Sequence, residues 1–288
     1  MDSSIKIGLI QMTCEENPAD NLEKAICRIE LASKQGAKIV CLQELYRSLY
    51  FCQKEDTKHF SLSETLFGES TKILGKLAKK LSIVIIAPIF EKRGQGIYHN
   101  TAVVLDVDGC LAGKYRKMHI PDDPYYYEKF YFTPGDIGFT PIETTYGKIG
   151  ILICWDQWFP EAARLSALAG AQFLFYPTAI GYQKCDGNVI AKQHSAWETV
   201  QRSHAITNGL YVFTVNRVGT ENKIQFWGQS FACDPFGEII ARASAEDEEV
   251  LIAICHKNLS EQTRQDWPFL RDRRIDFYDN LTKLYIDE

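Results

Sequence analysis

Segments of the chain alternate between apolar patterns typical of β-strands and patterns typical of amphipathic α-helices. Five short apolar runs predict buried strands, at residues 5–12, 37–43, 83–89, 148–154 and 171–176. Four longer segments with helical spacing of apolar positions predict helices, at residues 21–35, 71–81, 160–169 and 191–206. Gly36 and Gly170 follow two of these helices, as glycine often does where a helix ends. This alternation is typical of an α/β fold.

Two strand pairs around tight turns predict hairpins, at residues 97–106 with 110–117 and at residues 228–234 with 238–243. A final apolar strand is predicted after the acidic residues 246–249. No linker rich in Gly, Ser and Pro and no internal repeat divides the sequence. We therefore expect one α/β domain over residues 1–288, with helices on the outer faces of its sheets. The pattern does not fix the order of the strands.

The composition argues against several classes of protein. The 288 residues carry 32 Lys and Arg against 37 Asp and Glu, so nothing in the charge favours binding to nucleic acid or to an anionic membrane. No apolar run approaches the roughly 18 residues that a membrane-spanning helix needs. Nine cysteines at irregular spacing, with no C-x-x-C pair, indicate neither a zinc ribbon nor a disulfide framework. Together with a start that lacks the features of a secretory signal, this predicts a soluble cytoplasmic protein.

Cys154 is the first candidate for chemistry. It ends a predicted apolar strand, just before a segment that leads into a helix. A residue at such an elbow lies beside free backbone N–H groups, which favour a thiolate and can bind an oxyanion. The alternative is a buried structural thiol, which is the common state of cysteine.

Three charged residues could act with this thiol. Glu44 follows an earlier strand and could act as a general base, or it could be a solvated loop residue. Lys117, also at a strand end, could stabilise an oxyanion and lower the pKa of the thiol, or it could belong to a basic surface run. Glu128 lies among many aromatic residues, which favours a desolvated or paired carboxylate, although a surface loop is equally compatible with its position.

Other catalytic templates are absent from the sequence. There is no G-x-G-x-x-G, Walker A, H-E-x-x-H or G-x-S-x-G motif. The six histidines show no spacing typical of a metal site. This leaves either a thiol enzyme that uses no cofactor and no metal, or a protein that is not an enzyme.

Four separated segments together resemble the nitrilase, or carbon–nitrogen hydrolase, superfamily: residues 43–44, 114–121, 128–136 and 150–162. Further segments resemble its N-carbamoylputrescine amidase branch, at residues 176–179, 197–202, 216–217 and 267–274. The resemblance runs essentially from end to end. It implies a four-layer αββα sandwich and pairing of subunits into a homodimer or larger homo-oligomer.

The resemblance also implies a role for each reactive residue. Cys154 is then the nucleophile, Glu44 the general base and Lys117 the stabiliser of the oxyanion. Glu128 is then the residue that positions the others, and the backbone N–H of Trp155 is a second oxyanion donor.

Two positions depart from the family pattern. Leu49 stands where many relatives have proline, and Tyr125 stands where relatives commonly have glycine. Because a tyrosine reaches positive φ less easily than a glycine, we expect the loop around Tyr125 to follow a different path.

The expected substrate is a small carbamoylated amine, N-carbamoylputrescine, hydrolysed to putrescine, carbon dioxide and ammonia. Its distant ammonium needs aromatic faces and a carboxylate, and the candidates are Tyr50, Asp122, Tyr126 and Trp155. These aromatics could instead pack on the core or on a partner subunit. Two other functions stay open: hydrolysis of a carbamoylated amino acid such as ureidopropionate, and a catalytically silent scaffold.

Overall fold

The computed structural model describes residues 4–183, 187 and 189–287, and Cys185 lies outside them. The strands in the described part of the chain are β1 (Ser4–Gln11), β2 (Ile39–Leu42), β3 (Val84–Gly94), β4 (Ile97–Leu105), β5 (Leu111–Arg116), β6 (Ile142–Thr144), β7 (Gly147–Ile151), β8 (Phe173–Pro177), β9 (Gly181–Gln183), β10 (Tyr211–Val215), β11 (Val218–Glu221), β12 (Ile224–Trp227), β13 (Phe231–Cys233), β14 (Ile239–Arg242) and β15 (Glu249–His256). The helices are α1 (Pro18–Lys34), α2 (Glu69–Leu81), α3 (Pro160–Leu168), α4 (Ile190–Asn208) and α5 (Leu259–Asp266).

The first sheet has the order β15-β1-β2-β3-β4-β5, with β1, β2 and β3 parallel. Side chains alternate between its two faces, as the period of a strand requires. Ile7, Ile39 and Val84 join the core between the two large sheets, whereas Val40 and Ile85 join the core under the helices. Both faces are buried, which explains why these strands are continuous apolar runs rather than alternating ones.

Helices α1 and α2 cover the outer face of this sheet. Gly8 in β1 lets α1 come close, because a Cβ at this position would lie 3.0 Å from the Cβ of Ala32. Helix α1 begins at Pro18, three residues before the predicted start. The Asn17 side chain accepts a hydrogen bond from the Ala19 N–H, and a proline fits the first turn because its missing N–H has no partner there.

The second sheet has the order β14-β13-β10-β8-β7-β6 and packs against the first. Phe175 of β8 and Phe213 of β10 stack at 4.7 Å within the shared core. Helices α3 and α4 cover the other face of this sheet, where Ala163 and Trp197 are buried. The resulting order of layers is helix, sheet, sheet, helix, which confirms the expected αββα sandwich.

A small third sheet, with the order β11-β12-β9, was not predicted. Strand β10 was also missed, although Tyr211–Val215 is a run of β-branched and aromatic residues. The predicted strand over residues 148–154 ends at Ile151, and Cys154 lies in the 3₁₀ turn Cys154–Trp158. None of the described helices combines the length and the apolar character needed to cross a membrane.

Candidate active site

Lys117 joins two carboxylates in a fully buried group. Its Nζ lies 2.8 Å from Oε1 of Glu44 and 2.6 Å from Oε2 of Glu128, and all three side chains are 0% exposed. Glu44 and Lys117 lie just beyond the ends of β2 and β5, and Glu128 begins a short 3₁₀ turn. Three of the four predicted reactive residues, far apart in sequence, therefore meet at one edge of the first sheet.

Two neutral donors hold the carboxylates in place. Asn100 in β4 donates its Nδ2–H to Oε1 of Glu44 at 2.7 Å, and the Tyr50 hydroxyl donates to Oε1 of Glu128 at 2.6 Å. The sequence analysis missed Asn100; its signal was a polar residue inside a predicted hairpin strand. Tyr50 was expected in the substrate pocket, but it lies beside Glu128 and is not among the described residues that line the cleft over Cys154.

Burial and the neighbouring charges shift the pKa values of Lys117 and Glu128. Burial disfavours the charge of Lys117, but Glu128 and Glu44 outweigh it, so the pKa of Lys117 is raised well above its ordinary value. Burial raises the pKa of Glu128 to about 7, with Lys117 opposing the shift and Glu44 adding to it. Lys117 is therefore a permanent cation at neutral pH, whereas Glu128 changes its charge there.

Cys154 lies at a sharp bend of the backbone, just after β7 of the second sheet. Its φ of 45° is in the left-handed region, and the residue is 4% exposed. The buried Asp156 fixes the turn, since its Oδ2 accepts hydrogen bonds from the Ile153 N–H and the Tyr115 hydroxyl, each at 2.8 Å. Its Oδ1 accepts the backbone N–H of His119 at 3.0 Å. One carboxylate thus ties the elbow to the loop that follows Lys117.

The expectation that the elbow favours a thiolate is wrong. Burial raises the pKa of Cys154 far above that of a free thiol, and the charge of Glu44 raises it further. Lys117 does lower this pKa, as predicted, but too little to compensate. The thiol is therefore protonated at neutral pH and needs a base when it attacks.

Two groups near the thiol have no hydrogen-bond partner among the described residues and are therefore free to contact a substrate. Oε2 of Glu44 is buried and has no hydrogen-bond partner among the described residues. Trp155, next to Cys154, has a backbone N–H without an acceptor within the described part of the chain. A free carboxylate oxygen can accept a proton, and a free N–H can bind an oxyanion.

A cleft of about 530 Å³ opens over Cys154. Its aromatic lining residues are Tyr126, Trp155, Trp158, Tyr182 and Trp227. Its polar lining residues are Asp123, Gln183 and Gln193, and none of the described lining residues is a lysine or an arginine. The described lining of the cleft therefore combines aromatic faces with one carboxylate.

The predicted Asp122 is exposed and does not line the cleft, whereas its neighbour Asp123 does. A bridge between Asp123 and Tyr126 closes a tight turn here, and Tyr125 has a φ of 67°. Tyr125 therefore adopts a positive φ, although a tyrosine reaches this region less easily than a glycine, and a different path of the loop stays a prediction. Tyr126 lines the cleft as predicted, and its hydroxyl accepts the Gly181 N–H at 3.2 Å. The turn determines which of the two adjacent carboxylates lines the cleft.

The αββα sandwich and the buried lysine and carboxylates beside a thiol are typical of nitrilase-fold hydrolases. The family model described as carbon-nitrogen hydrolase matches residues 6–265. The chain belongs to the carbon–nitrogen hydrolase family, whose members cleave carbon–nitrogen bonds other than peptide bonds.

Three relatives illustrate the range of the family. The chain is 42% identical to N-carbamoylputrescine amidase of Oryza sativa subsp. japonica, over 98% of this chain and 96% of that protein. It is also 42% identical to citrullinase of Francisella tularensis, over 98% of this chain and 100% of that protein. The crystal structure of a carbon-nitrogen hydrolase from Helicobacter pylori G27 matches with a TM-score of 0.95 and 49% identity, over 99% of this chain and 100% of that one.

Proposed function

We propose that this enzyme hydrolyses a carbamoylated alkyl amine, with N-carbamoylputrescine as the substrate, through a covalent intermediate on Cys154. The observation that carries the proposal is the lining of the cleft. It combines aromatic faces with the carboxylate of Asp123. An ammonium is favoured by both features, and an α-carboxylate by neither.

In the first half of the proposed reaction, the carbamoyl group lies against Cys154. Oε2 of Glu44 takes the thiol proton as the sulfur attacks the carbamoyl carbon. The carbonyl oxygen becomes an oxyanion, which the Lys117 ammonium and the Trp155 N–H stabilise. Glu44 then returns the proton to the departing nitrogen, and a thiocarbamate remains on the sulfur.

In the second half, Glu44 deprotonates a water that attacks the thiocarbamate carbon, and the sulfur leaves with the proton. The released carbamic acid breaks down to carbon dioxide and a nitrogen product. Whichever nitrogen leaves first, the final products are the same: the alkyl diamine, ammonia and carbon dioxide.

A second candidate, hydrolysis of citrulline or another carbamoylated amino acid, is favoured by the 42% identity to a citrullinase. Citrulline and N-carbamoylputrescine share the ureido end and differ at the far end, where citrulline adds a carboxylate. A carboxylate near Asp123 would be repelled unless a cation lay beside it. The far end of the substrate therefore decides between the two functions.

The test is an ammonia-release assay on N-carbamoylputrescine, citrulline and β-ureidopropionate with the wild type, Asp123→Asn and Asp122→Asn. We expect N-carbamoylputrescine to have the highest kcat/KM. Asp123→Asn should raise KM for this substrate by about twofold to fivefold, because Asp123 is exposed and an exposed ion pair contributes about 0.2–1 kcal/mol. Asp122→Asn is the matched control, since its exposed side chain does not line the cleft, and should leave KM unchanged. A higher kcat/KM on either acid would overturn the assignment.

We also propose that the chain forms a homodimer or larger homo-oligomer. Large apolar side chains at the C-terminal end are exposed, among them Phe277, Leu284 and Ile286. Apolar side chains exposed in such a group are typical of a contact surface. Sedimentation of the full chain tests this, and a monomer at micromolar concentration would contradict it. Location in the cytoplasm stays a prediction.

A further inference from the structure

Arg217 is a buried cation that belongs to none of the groups described above. The residue connects β10 to β11 in the chain, and its side chain is 0% exposed. Nη2 donates to the backbone carbonyls of Glu44 at 3.0 Å and Leu45 at 2.9 Å. Nη1 donates to the Ser48 carbonyl at 2.9 Å and to Oε1 of Glu221 at 2.7 Å. The guanidinium therefore binds the loop that follows β2 through three backbone carbonyls.

This loop carries two residues of the candidate site and is not relaxed on its own. Leu45 has a φ of 49°, which costs a residue with a side chain roughly 1–2 kcal/mol. At the other end of the loop, the Tyr50 N–H donates to Oε2 of Glu221 at 2.5 Å. The ion pair of Arg217 and Glu221 thus holds the loop at both ends. One end carries Glu44, and the other carries Tyr50, which contacts Glu128.

The same ion pair adjoins the small sheet that forms part of the cleft wall. Glu221 ends β11, and the small sheet of β11, β12 and β9 supplies the lining residues Gly181, Tyr182 and Trp227. The ring of Phe226 in β12 lies 5.4 Å from the guanidinium carbon of Arg217. The hydrogen bonds of the guanidinium nevertheless go to the loop that carries Glu44 and to Glu221, and none of these acceptors is a described lining residue of the cleft.

We propose that Arg217, paired with Glu221, is a positioning residue that sets Glu44 for proton transfer with Cys154. The proposal rests on the proposed function only in the choice of substrate. A lysine cannot replace the arginine, because a single ammonium cannot span three carbonyls and a carboxylate in the way a planar guanidinium does. When these hydrogen bonds to the loop are lost, Glu44 should move, whereas the contacts with the substrate should stay largely intact.

The first test compares Arg217→Lys, Glu221→Gln and Arg264→Lys in the full chain. Arg264 is the matched control, since its guanidinium also donates to two backbone carbonyls, those of Asn208 and Ala171, away from the site. We expect Arg217→Lys to lower kcat on N-carbamoylputrescine by about tenfold to a hundredfold, with KM nearly unchanged. Glu221→Gln should have a smaller effect of the same kind, and Arg264→Lys none. A rise in KM with unchanged kcat would overturn the proposal.

The second test does not depend on the substrate. Alkylation of Cys154 by iodoacetamide is followed in the wild type, Arg217→Lys, Glu44→Gln and the double variant. If Arg217 acts through Glu44, Arg217→Lys changes the alkylation rate in the wild-type background and leaves it unchanged in the Glu44→Gln background. If the two substitutions instead change the alkylation rate by factors that multiply in the double variant, the positioning role is overturned. This holds even where the wild type hydrolyses N-carbamoylputrescine. Should Arg217→Lys fail to fold by circular dichroism, Glu221→Gln takes its place in the same cycle.

Discussion

The two oxygens of Glu44 have different surroundings, and the difference suits a proton carrier. Oε1 accepts from Lys117 and Asn100, which fix the carboxylate. Oε2 has no partner among the described residues. Because burial keeps Cys154 protonated, a base is needed only at the moment of attack. The site can therefore store its nucleophile as an unreactive thiol.

Glu128 predicts the pH dependence of the reaction. Its pKa is raised to about 7, so below neutral pH the folded enzyme binds a proton that removes the negative charge beside Lys117. We expect kcat/KM to fall as the pH decreases through about 7, because the lysine is then held by Glu44 alone. Glu128→Gln should be less active and should lack this limb. The measurement is kcat/KM against pH for both enzymes.

Stability gives a second readout of the same group, with the opposite sign. Between its ordinary value of 4.5 and about 7, Glu128 binds more proton in the folded state than in the unfolded state. The free energy of unfolding should therefore decrease across this interval as the pH rises.

The pH dependence of activity has its own contradicting result. If the fall in kcat/KM at low pH persisted unchanged in Glu128→Gln, another group would control the activity.

The sequence predicts the reactive residues better than their supports. Glu44, Lys117 and Glu128 were chosen from their positions and from the family resemblance, and the structure brings them together. Asn100 could not be assigned, because a polar residue in a strand does not reveal what it faces. The choice between Asp122 and Asp123 depends on the backbone of one turn, which no local pattern fixes.

At the scale of elements, the nucleophile elbow depends on Asp156. The fully buried carboxylate accepts hydrogen bonds from residues on three segments, at Tyr115, His119 and Ile153. These contacts hold the 3₁₀ turn in a conformation with positive φ at Cys154. The elbow is therefore built by its neighbours rather than by its own local preference.

Asp156→Asn should loosen this elbow. The amide presents N–H groups to donors that a carboxylate satisfied, so we expect the free energy of unfolding to fall by about 2–3 kcal/mol. We also expect kcat to fall with it, because the thiol moves relative to Glu44. Urea unfolding and ammonia release measure the two effects. Asp266→Asn is the control and should change neither, because Asp266 is exposed at the end of α5 and its side chain has no hydrogen bond or ion pair with the described residues.

Strands that are continuous buried apolar runs were predicted more reliably than strands that mix polar and apolar residues. Strands β1, β2 and β3 are buried runs that the apolar pattern reveals directly. Strands β9 and β12 are short and mix polar with apolar residues, and they pair across a long stretch of chain. Such pairing depends on tertiary contacts, so local pattern gives little sign of it. The missed sheet is also the one that forms a wall of the cleft.

At the scale of the whole molecule, the site exists only where the two large sheets meet. Glu44 and Lys117 extend from the first sheet, and Cys154 follows β7 of the second. The order of strands that brings these ends together depends on non-local pairing, which the sequence pattern left open. The family resemblance, rather than periodicity, supplied the sandwich.

This division predicts how activity is lost on unfolding. Because the sheets contribute different reactive groups, separation of the layers should abolish turnover before either sheet melts. We expect activity in urea to disappear no later than the change in tryptophan fluorescence, and the far-ultraviolet circular dichroism to change with or after both. Activity that outlasts the fluorescence transition would contradict a site shared between the sheets.

The central claim is that the sulfur of Cys154 is bonded to the carbamoyl carbon during turnover. The direct measurement is mass spectrometry of the peptide containing Cys154, after acid quenching of the enzyme during hydrolysis of N-carbamoylputrescine. We expect a carbamoyl-type adduct on Cys154 in the wild type, and neither adduct nor ammonia release in Cys154→Ser. Near-normal turnover by Cys154→Ser, or an adduct confined to another residue, would contradict the account.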